Sequence, residues 1–336
     1  MLKASYTREI LPGLLLSTAV GVLAAGVERV ELRLFGYAYL DGLVVAILAG
    51  ALLHTVFGLN GRFLAGVRFS AKIVLEIAIV LLGGTISAAA IASSGLPLIA
   101  TIVGVVAITL FLSYGVGRLL GLDDKLATLV SCGNSICGNS AIMAAAPAID
   151  ARSEDVAASI GFTAVLGIAV VLLLPLCFSL LRLNQWQYGV VAGLSVYAVP
   201  QVLAATVPVG ALSAQIGTIV KLVRVLMLGP VVLAIGARYG RKGGARMPLS
   251  VLVPWFIVGF LALMASRSFG LLPDAAVKPL HAASFDLTLI AMAALGLSVD
   301  LRSVLASGGR VLAAGVLSIA ILVVLAILAA ILLPIA

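Results

Sequence analysis

Apolar stretches of membrane-spanning length recur along this chain, with only short connections between them. A helix needs about 20 largely apolar residues to cross the hydrocarbon core of a bilayer. Such stretches occupy residues 10–27, 39–58, 69–91, 96–119, 126–149, 156–181, 186–206, 211–237, 250–268, 283–304 and 309–335. With 63% hydrophobic and 10% charged residues, the 336-residue chain lacks the polar surface of a soluble protein. The sequence therefore predicts an all-α polytopic membrane protein with eleven transmembrane helices.

Lys and Arg are distributed unevenly between the two predicted sides. If the N-terminus is inside, the inner connections carry thirteen of these residues and the outer connections carry five. Because short cytoplasmic connections are enriched in Lys and Arg, we expect the N-terminus inside and the C-terminus outside. The net charge of +8 has the same interpretation. It therefore predicts contact with a lipid bilayer rather than with nucleic acid.

Eleven spans divide as one plus five plus five, and a weak internal repeat supports this division. Residues 72–83 align without gaps with residues 218–229 and share four identities. Because five is odd, the two halves would cross in opposite directions, as in many secondary transporters with inverted repeats. We therefore predict one transporter domain, 1–336, with an extra N-terminal helix at 1–30, a first five-helix repeat at 35–182 and a second at 185–336.

A duplicated polar motif interrupts the fifth apolar stretch, where Cys-Gly-Asn-Ser occurs at residues 132–135 and again at 137–140. Gly, Asn and Ser in succession disfavour a continuous helix, so we expect a break near mid-membrane depth. The free N–H groups of a half-helix would then bind an anion. Close helix packing explains the glycines, but not two asparagines that are costly in lipid. The predicted substrate-binding residues are Gly133, Asn134, Ser135, Gly138, Asn139 and Ser140.

The tenth apolar stretch, 283–304, stands at the equivalent place in the second repeat. Its run Ala294–Asp300 again brings glycine and polar residues into an apolar helix. Two interrupted helices at corresponding positions of two halves indicate a midplane binding site. We therefore add Ser298 to the predicted substrate-binding residues.

Two cations, Lys221 and Arg224, lie three residues apart inside the eighth apolar stretch. Charges at this depth are functional candidates, so they would either neutralise a bound anion or form an ion pair with Glu76 of the third stretch. Glu76 could alternatively carry a coupling proton. Lys72, one turn earlier, is a predicted partner of Glu76 at i, i+4.

Further polar residues carry weaker signals. Pro200 should kink the seventh stretch and free carbonyl groups near Tyr197 and Gln201, which could line the pathway. The three cysteines and two histidines have no metal-ligand spacing, so no metal site is expected. No phosphate-binding glycine loop and no hydrolase motif occurs. We therefore expect neither an enzyme nor a bound cofactor.

The motif at 132–149 closely resembles the signature of the YeiH family, bacterial inner-membrane proteins commonly labelled sulfate exporters. Residues 75–83, 219–229 and 291–298 match further family segments. The family looks related to the bile acid, arsenite and riboflavin transporter superfamily. This resemblance implies core and panel domains, two discontinuous helices that cross at 126–149 and 283–304, and a surface for a homodimer. It also implies a location in the bacterial inner membrane, where the N-terminus and C-terminus placed by the Lys and Arg distribution would be cytoplasmic and periplasmic.

These observations together predict a secondary transporter that moves a small, sulfate-like or sulfur-containing anion by alternating access. One alternative is a Na⁺- or H⁺-coupled importer of carboxylates or sulfonates, in which broken-helix carbonyls hold sodium or Glu76 titrates. A lower-ranked alternative is an intramembrane enzyme that acts on a lipid-linked phosphate. It would require clustered acids and arginines, whereas this chain has one deeply placed carboxylate.

Overall fold

A computed structural model describes residues 2–35, 41–86, 95–239, 254–300, 302 and 309–333. Every regular element in these ranges is helical, as the sequence predicts. Six helices within these ranges are long and apolar enough to cross a membrane: Glu9–Leu34, Gly95–Leu119, Ser153–Leu180, Ala211–Arg238, Asp274–Leu297 and Gly309–Leu332. The chain forms two compact units, each of which takes helices from both predicted repeats. The predicted repeat boundaries themselves stay a prediction.

The first unit contains Met1–Ala90 and Phe256–Arg302. Its helices are Leu2–Phe35, Gly42–Phe57, Gly61–Phe69, Leu75–Gly83, Asp274–Leu297 and most of Trp255–Ser268. The π-helical segment Ser70–Val74 joins Gly61–Phe69 to Leu75–Gly83.

The helix of the tenth apolar stretch ends inside the run Ala294–Asp300, where the sequence predicts an interruption. It extends from Asp274 to Leu297, Ser298 to Asp300 are not helical, and residues 301, 303 and 304 of this stretch lie outside the description. Gly296 also serves packing, since a Cβ atom there would lie 2.2 Å from the carbonyl oxygen of Ile47. The glycine therefore permits close contact between two helices, which is a common use of small residues in membranes.

The second unit contains Ile91–Trp255 and Ser303–Ala336. Its helices are Gly95–Leu119, Asp124–Ser135, Asn139–Ala148, Ser153–Leu180, Gln185–Ser195, Val199–Thr206, Ala211–Leu226, Leu228–Arg238 and Gly309–Leu332. Two pairs of short helices in this unit are helical hairpins: hairpin 1 is residues 124–148 and hairpin 2 is residues 185–206.

Hairpin 1 corrects the prediction that residues 126–149 cross the membrane. A continuous helix of this length would separate its ends by about 36 Å. Instead, Lys125 Nζ donates a hydrogen bond of 2.5 Å to the carbonyl oxygen of Asp150. The segment therefore enters and leaves at the same end, with its turn at residues 136–138.

Hairpin 2 likewise corrects the predicted seventh span and its kink. Tyr188 Oη donates to the carbonyl of Ala205 at 2.9 Å, which requires the chain to fold back. The first helix ends at Ser195, Val196 and Ala198 are extended, and the second helix starts at Val199. Pro200 thus lies in the first turn of a new helix, where its missing N–H costs little, and it does not kink a continuous one.

The two hairpins enter the second unit from opposite ends of the helix Ala211–Arg238. Ser213, near its start, donates to the carbonyl of Gln185 at the base of hairpin 2. The hydroxyl of Tyr239, just past the end of this helix, lies 3.0 Å from the hydroxyl of Thr128 in hairpin 1. This helix is about 40 Å long, so the hairpin tips approach each other near its middle.

Candidate functional site

The tip of hairpin 1 is the interruption that the duplicated motif predicts. The helix Asp124–Ser135 ends, and Asn139–Ala148 begins after Gly138. Gly138 has φ +64° and ψ −124°, a conformation that essentially only glycine adopts without strain. The chain therefore turns at a glycine, and any other residue at this position would strain the backbone.

Arg224 joins the tips of the two hairpins through backbone carbonyl groups. Its Nε and Nη2 donate to Ser135 and Asn134 of hairpin 1, at 3.2 and 2.9 Å. Its Nη1 donates to Gly193 and Val196 of hairpin 2, at 3.1 Å each. These carbonyls belong to the ends of the two first half-helices, where backbone acceptors lack partners within the helix and the dipole is negative.

Lys221 makes the equivalent contact one turn earlier on the same helix. Its Nζ donates to the carbonyl oxygen of Ile136 at 2.6 Å. Both Lys221 and Arg224 are completely buried, and no carboxylate within the described ranges forms an ion pair with either. The positive charge is therefore balanced by backbone dipoles, an arrangement that neither sequence hypothesis includes.

The two asparagines of the duplicated motif have different surroundings. Asn134 is completely buried, and its Oδ1 accepts a short hydrogen bond from the hydroxyl of Tyr197 in hairpin 2. Asn139 is exposed, and its Oδ1 accepts a hydrogen bond of 2.5 Å from Thr163. In both amides a hydroxyl from another element occupies the oxygen, which leaves the nitrogen for other partners.

Polar atoms at the tip lack partners within the described part of the protein. The amide nitrogen of Asn134 and the hydroxyl of Ser135 are buried with no hydrogen-bond partner. Such orphaned groups cost about 1–3 kcal/mol each when they are left dry. Ser140, next to Asn139, is exposed. A polar solute that reaches the tip would satisfy these atoms.

The glycines of the motif let side chains of neighbouring elements approach the tip. A Cβ atom at Gly138 would lie 3.2 Å from the Cβ of Tyr197, and one at Gly133 would lie 3.3 Å from the Cγ2 of Thr163. The same Thr163 therefore touches Gly133 and bonds Asn139. Sequence reasoning missed Thr163, because a single threonine in an apolar helix commonly bonds its own preceding turn.

The other predicted site residues fall into two groups. Gln201 lies in hairpin 2, where its Oε1 accepts from the backbone N–H of Ala198 at 3.2 Å and caps the second helix. Lys72, Glu76 and Ser298 belong to the first unit. Lys72 lies in the π-helical segment, Glu76 lies in the first turn of the helix that follows, and Ser298 Oγ donates to the carbonyl of Ala294.

A second polar cluster lies at the base of hairpin 1. A cavity of 370 Å³ is lined by Lys125, Ala148, Ile149, Asp150 and Tyr239. Beside it, Asp124 accepts hydrogen bonds from the hydroxyls of Tyr114 and Tyr239. These two bonds, in that order of strength, hold the pKa of the Asp124 carboxyl below its ordinary value. The cluster ties the hairpin base to neighbouring helices.

Comparisons with known proteins give the family. The family model described as conserved hypothetical protein 698 matches residues 12–315. A UPF0324 membrane protein of Agrobacterium fabrum is 53% identical over 320 residues, which are 95% of this chain and 92% of that protein. One of Brucella melitensis is 55% identical over 322 residues, covering 95% and 90%. One of Bacillus cereus is 34% identical over 278 residues, covering 82% and 79%.

These matches confirm the resemblance of this sequence to the YeiH family. They cover nearly the whole chain, and every one of these relatives is described as a membrane protein. The protein is therefore a membrane protein of the conserved hypothetical protein 698 family, to which the YeiH and UPF0324 proteins belong.

Proposed function

We propose that this protein is a secondary active transporter that moves a small anion across the bacterial inner membrane by alternating access. The observation that carries the proposal is the burial of Lys221 and Arg224 at the meeting point of two hairpin tips, without a carboxylate partner among the described residues. Backbone dipoles oppose these two charges only in part, so a positive potential remains in the low-dielectric interior. A small anion bound beside Lys221 and Arg224 would reduce the free-energy cost of burying their charges.

The tip of hairpin 1 supplies the binding groups. Asn139 and Ser140 form the first turn of Asn139–Ala148, are exposed, and lie at the positive end of the helix dipole. Unpaired N–H groups at such a position favour an anion. The buried nitrogen of Asn134 and hydroxyl of Ser135 add polar partners at the same tip. We assign these four residues to the substrate.

The sodium-coupled alternative has less support at this site. Sodium would need free carbonyl oxygens at the breaks. The carbonyls of Asn134, Ser135, Ile136, Gly193 and Val196 accept hydrogen bonds from Lys221 and Arg224. We therefore propose transport without sodium at the hairpin tips, and coupling to protons stays a prediction for Glu76.

The orientation proposed from Lys and Arg is unaffected by the hairpins. Because hairpin 1 returns to its own side, Arg152 joins the inner connections, and hairpin 2 places Arg182 in the outer ones. The distribution therefore stays at thirteen against five. A cytoplasmic N-terminus and a periplasmic C-terminus remain the proposed arrangement, and the homodimer remains a prediction from the resemblance.

Reconstituted transport tests the proposal. Purified protein in detergent is first screened by thermal shift against sulfate, sulfite, thiosulfate, taurine and small carboxylates. Proteoliposomes are then assayed for flux of each stabilising anion, with and without a sodium gradient. We expect saturable, sodium-independent flux that is lost in Asn139→Ala. Absence of flux for every stabilising anion would contradict the proposal, and strictly sodium-dependent flux would support the importer alternative.

A further inference from the structure

The second helix of hairpin 1, Asn139–Ala148, is exposed along one face over nearly its whole length. The exposed residues recur at the three- and four-residue spacing of a single helix face and are Asn139, Ser140, Met143 and Pro147. On the opposite face Ala141, Ile142 and Ala145 are completely buried. One side of the helix is therefore packed against protein, and the other side is open.

This exposed face extends from the middle of the membrane to one of its surfaces. At the tip of hairpin 1, the carbonyl of Ile136 contacts Lys221, near the middle of the helix Ala211–Arg238. At the base, Thr128 contacts Tyr239, just past the end of that helix. The ten residues of the second helix span about 15 Å, half of a hydrocarbon core of about 30 Å. In the orientation proposed above, they cross its cytoplasmic half.

Contact with lipid does not account for the residues on this face. Where helices of this protein expose large side chains, these are apolar, as at Phe111, which is 79% exposed. The second helix of hairpin 1 instead exposes Asn139 and Ser140 at its deepest point. An amide and a hydroxyl at that depth are costly against hydrocarbon, so they are expected to face water or protein.

Polar groups also lie at both ends of the exposed face. At the tip, the amide nitrogen of Asn134 and the hydroxyl of Ser135 are buried with no partner in the described part of the chain. At the base, Lys125 and Asp150 line the cavity of 370 Å³, together with the last residue of the second helix. A polar solute would therefore find partners at the entrance and at the end of a path along this helix.

We propose that the exposed face of Asn139–Ala148 lines a water-filled path from the cytoplasm to the tip of hairpin 1, and that Met143 and Ala144 face this path between the base cavity and the tip. The inference rests on the proposed function, for which the path is the cytoplasmic entry of the anion. Alternating access requires one state in which the binding site is reached from this side.

Cysteine labelling tests which residues face water. The three native cysteines are replaced by alanine, and single cysteines are introduced into the full-length protein. A charged methanethiosulfonate that cannot the membrane cross is then added to inside-out or right-side-out vesicles. A thiol in water ionises and reacts, whereas one in hydrocarbon or in packed protein stays protonated. We expect Met143→Cys and Ala144→Cys to react at least about tenfold faster in inside-out vesicles than in right-side-out vesicles.

Two control variants separate water from the other surroundings of this helix. Ala145→Cys makes the same change as Ala144→Cys one residue later, on the completely buried face. Phe111→Cys places a thiol at a position exposed to lipid. Both controls should react at least about tenfold more slowly than Met143→Cys in inside-out vesicles.

The wild-type protein provides a second measurement that needs no variant. Hydroxyl radicals generated from water oxidise methionine side chains that water reaches. Met143 is 58% exposed, whereas Met292 is completely buried. We expect Met143 to be oxidised at least about tenfold faster than Met292 in membranes, as measured by mass spectrometry.

The outcomes distinguish this inference from the proposed function. Cytoplasmic labelling of Met143→Cys and Ala144→Cys, with both controls slow, supports the path. Slow labelling of both variants in inside-out vesicles, faster labelling from the periplasmic side, or oxidation of Met143 no faster than that of Met292 overturns it, while anion transport is tested separately by flux. If the labelling pattern is as expected but no anion binds or is transported, the proposed function is overturned and the water-filled path stands.

Discussion

Arg224 donates a hydrogen bond of 2.9 Å to the backbone carbonyl of Asn134, and both residues are completely buried. The same guanidinium reaches hairpin 2, so one side chain holds two chain breaks together. A guanidinium suits this position because its donors diverge in a plane and its charge persists when it is buried. This contact therefore satisfies backbone acceptors at the ends of two half-helices in the protein interior.

Arg224→Met should therefore destabilise the protein strongly. The change leaves four backbone carbonyls at the tips without their donor, and each buried acceptor left unpaired costs about 1–3 kcal/mol. Arg224→Lys should recover only part of it, because an ammonium cannot reach carbonyls of both hairpins together. Thermal unfolding in detergent measures both, with Arg68→Met as a control at an exposed cation. A wild-type melting temperature for Arg224→Met would contradict the structural role of this residue.

The hairpin fold of residues 124–148 predicts which side of the membrane its flanking residues face. Single cysteines are introduced at Asp123, Arg152 and Arg182 after the three native cysteines are replaced by alanine. An impermeant maleimide should label Asp123→Cys and Arg152→Cys from the same side, and Arg182→Cys from the opposite side. Right-side-out and inside-out vesicles provide the two directions. Labelling of Asp123→Cys and Arg152→Cys from opposite sides would restore the crossing helix.

The two copies of Gly-Asn-Ser should separate stability from binding. Asn139 is exposed, so Asn139→Ala should unfold at nearly the wild-type temperature yet lose stabilisation by the anion. Asn134 is the buried acceptor of Tyr197, so Asn134→Ala should cost about 1–3 kcal/mol without any ligand. Thermal shift with and without sulfate measures both effects. Retained anion stabilisation in Asn139→Ala would remove this residue from the substrate site.

Asp124 should make the base of hairpin 1 sensitive to acid. Its pKa is lowered in the folded protein, first by the hydrogen bond from Tyr114 and then by that from Tyr239. A lowered pKa contributes stability that is present above the unfolded value of about 4 and is lost as pH falls through the folded value. Asp124 is partly exposed, so the contribution is small.

The difference in melting temperature between wild type and Asp124→Asn isolates this contribution from other carboxylates. It should be largest near neutral pH and shrink as the pH falls below about 4. Tyr239→Phe removes one of the two donors and should reduce the difference at neutral pH. A difference that grows on acidification would show that the carboxylate is not stabilised by these hydroxyls.

The sequence alone predicted the break at the duplicated motif and the depth of Lys221 and Arg224, because both depend on local residue chemistry. It was wrong about the direction of the chain at both hairpins. Two half-helices of about 11 residues have the apolar length of one span, so hydropathy cannot distinguish a hairpin from a crossing. The contacts of Lys125 with Asp150 and of Tyr188 with Ala205 show the two reversals.

Gly296 in the tenth apolar stretch has a second use that the sequence does not reveal. The helix ends at Leu297, inside the run where an interruption is predicted, and the missing Cβ of Gly296 also admits the carbonyl of Ile47. A glycine that breaks a helix and a glycine that permits close packing look the same in a sequence. The helix that contains Ile47 is distant in sequence from Gly296. The partners of Arg224 could not be predicted either, because they are backbone carbonyls, which every residue type has.

Gly138→Ala should destabilise the tip of hairpin 1 and weaken anion binding. Alanine at this position would have to adopt φ +64°, and its Cβ would lie 3.2 Å from the Cβ of Tyr197. We expect a loss of about 1–3 kcal/mol from backbone strain, and a shift of Tyr197 away from Asn134. Gly104→Ala is the matched control: it lies in the helix Gly95–Leu119 with no atom within 4 Å of the added Cβ. That change should be neutral or stabilise by about 0.5–1 kcal/mol, because alanine favours helix. Thermal unfolding and sulfate binding of the two variants check the prediction, and equal melting temperatures would mean that the tip tolerates a side chain at Gly138.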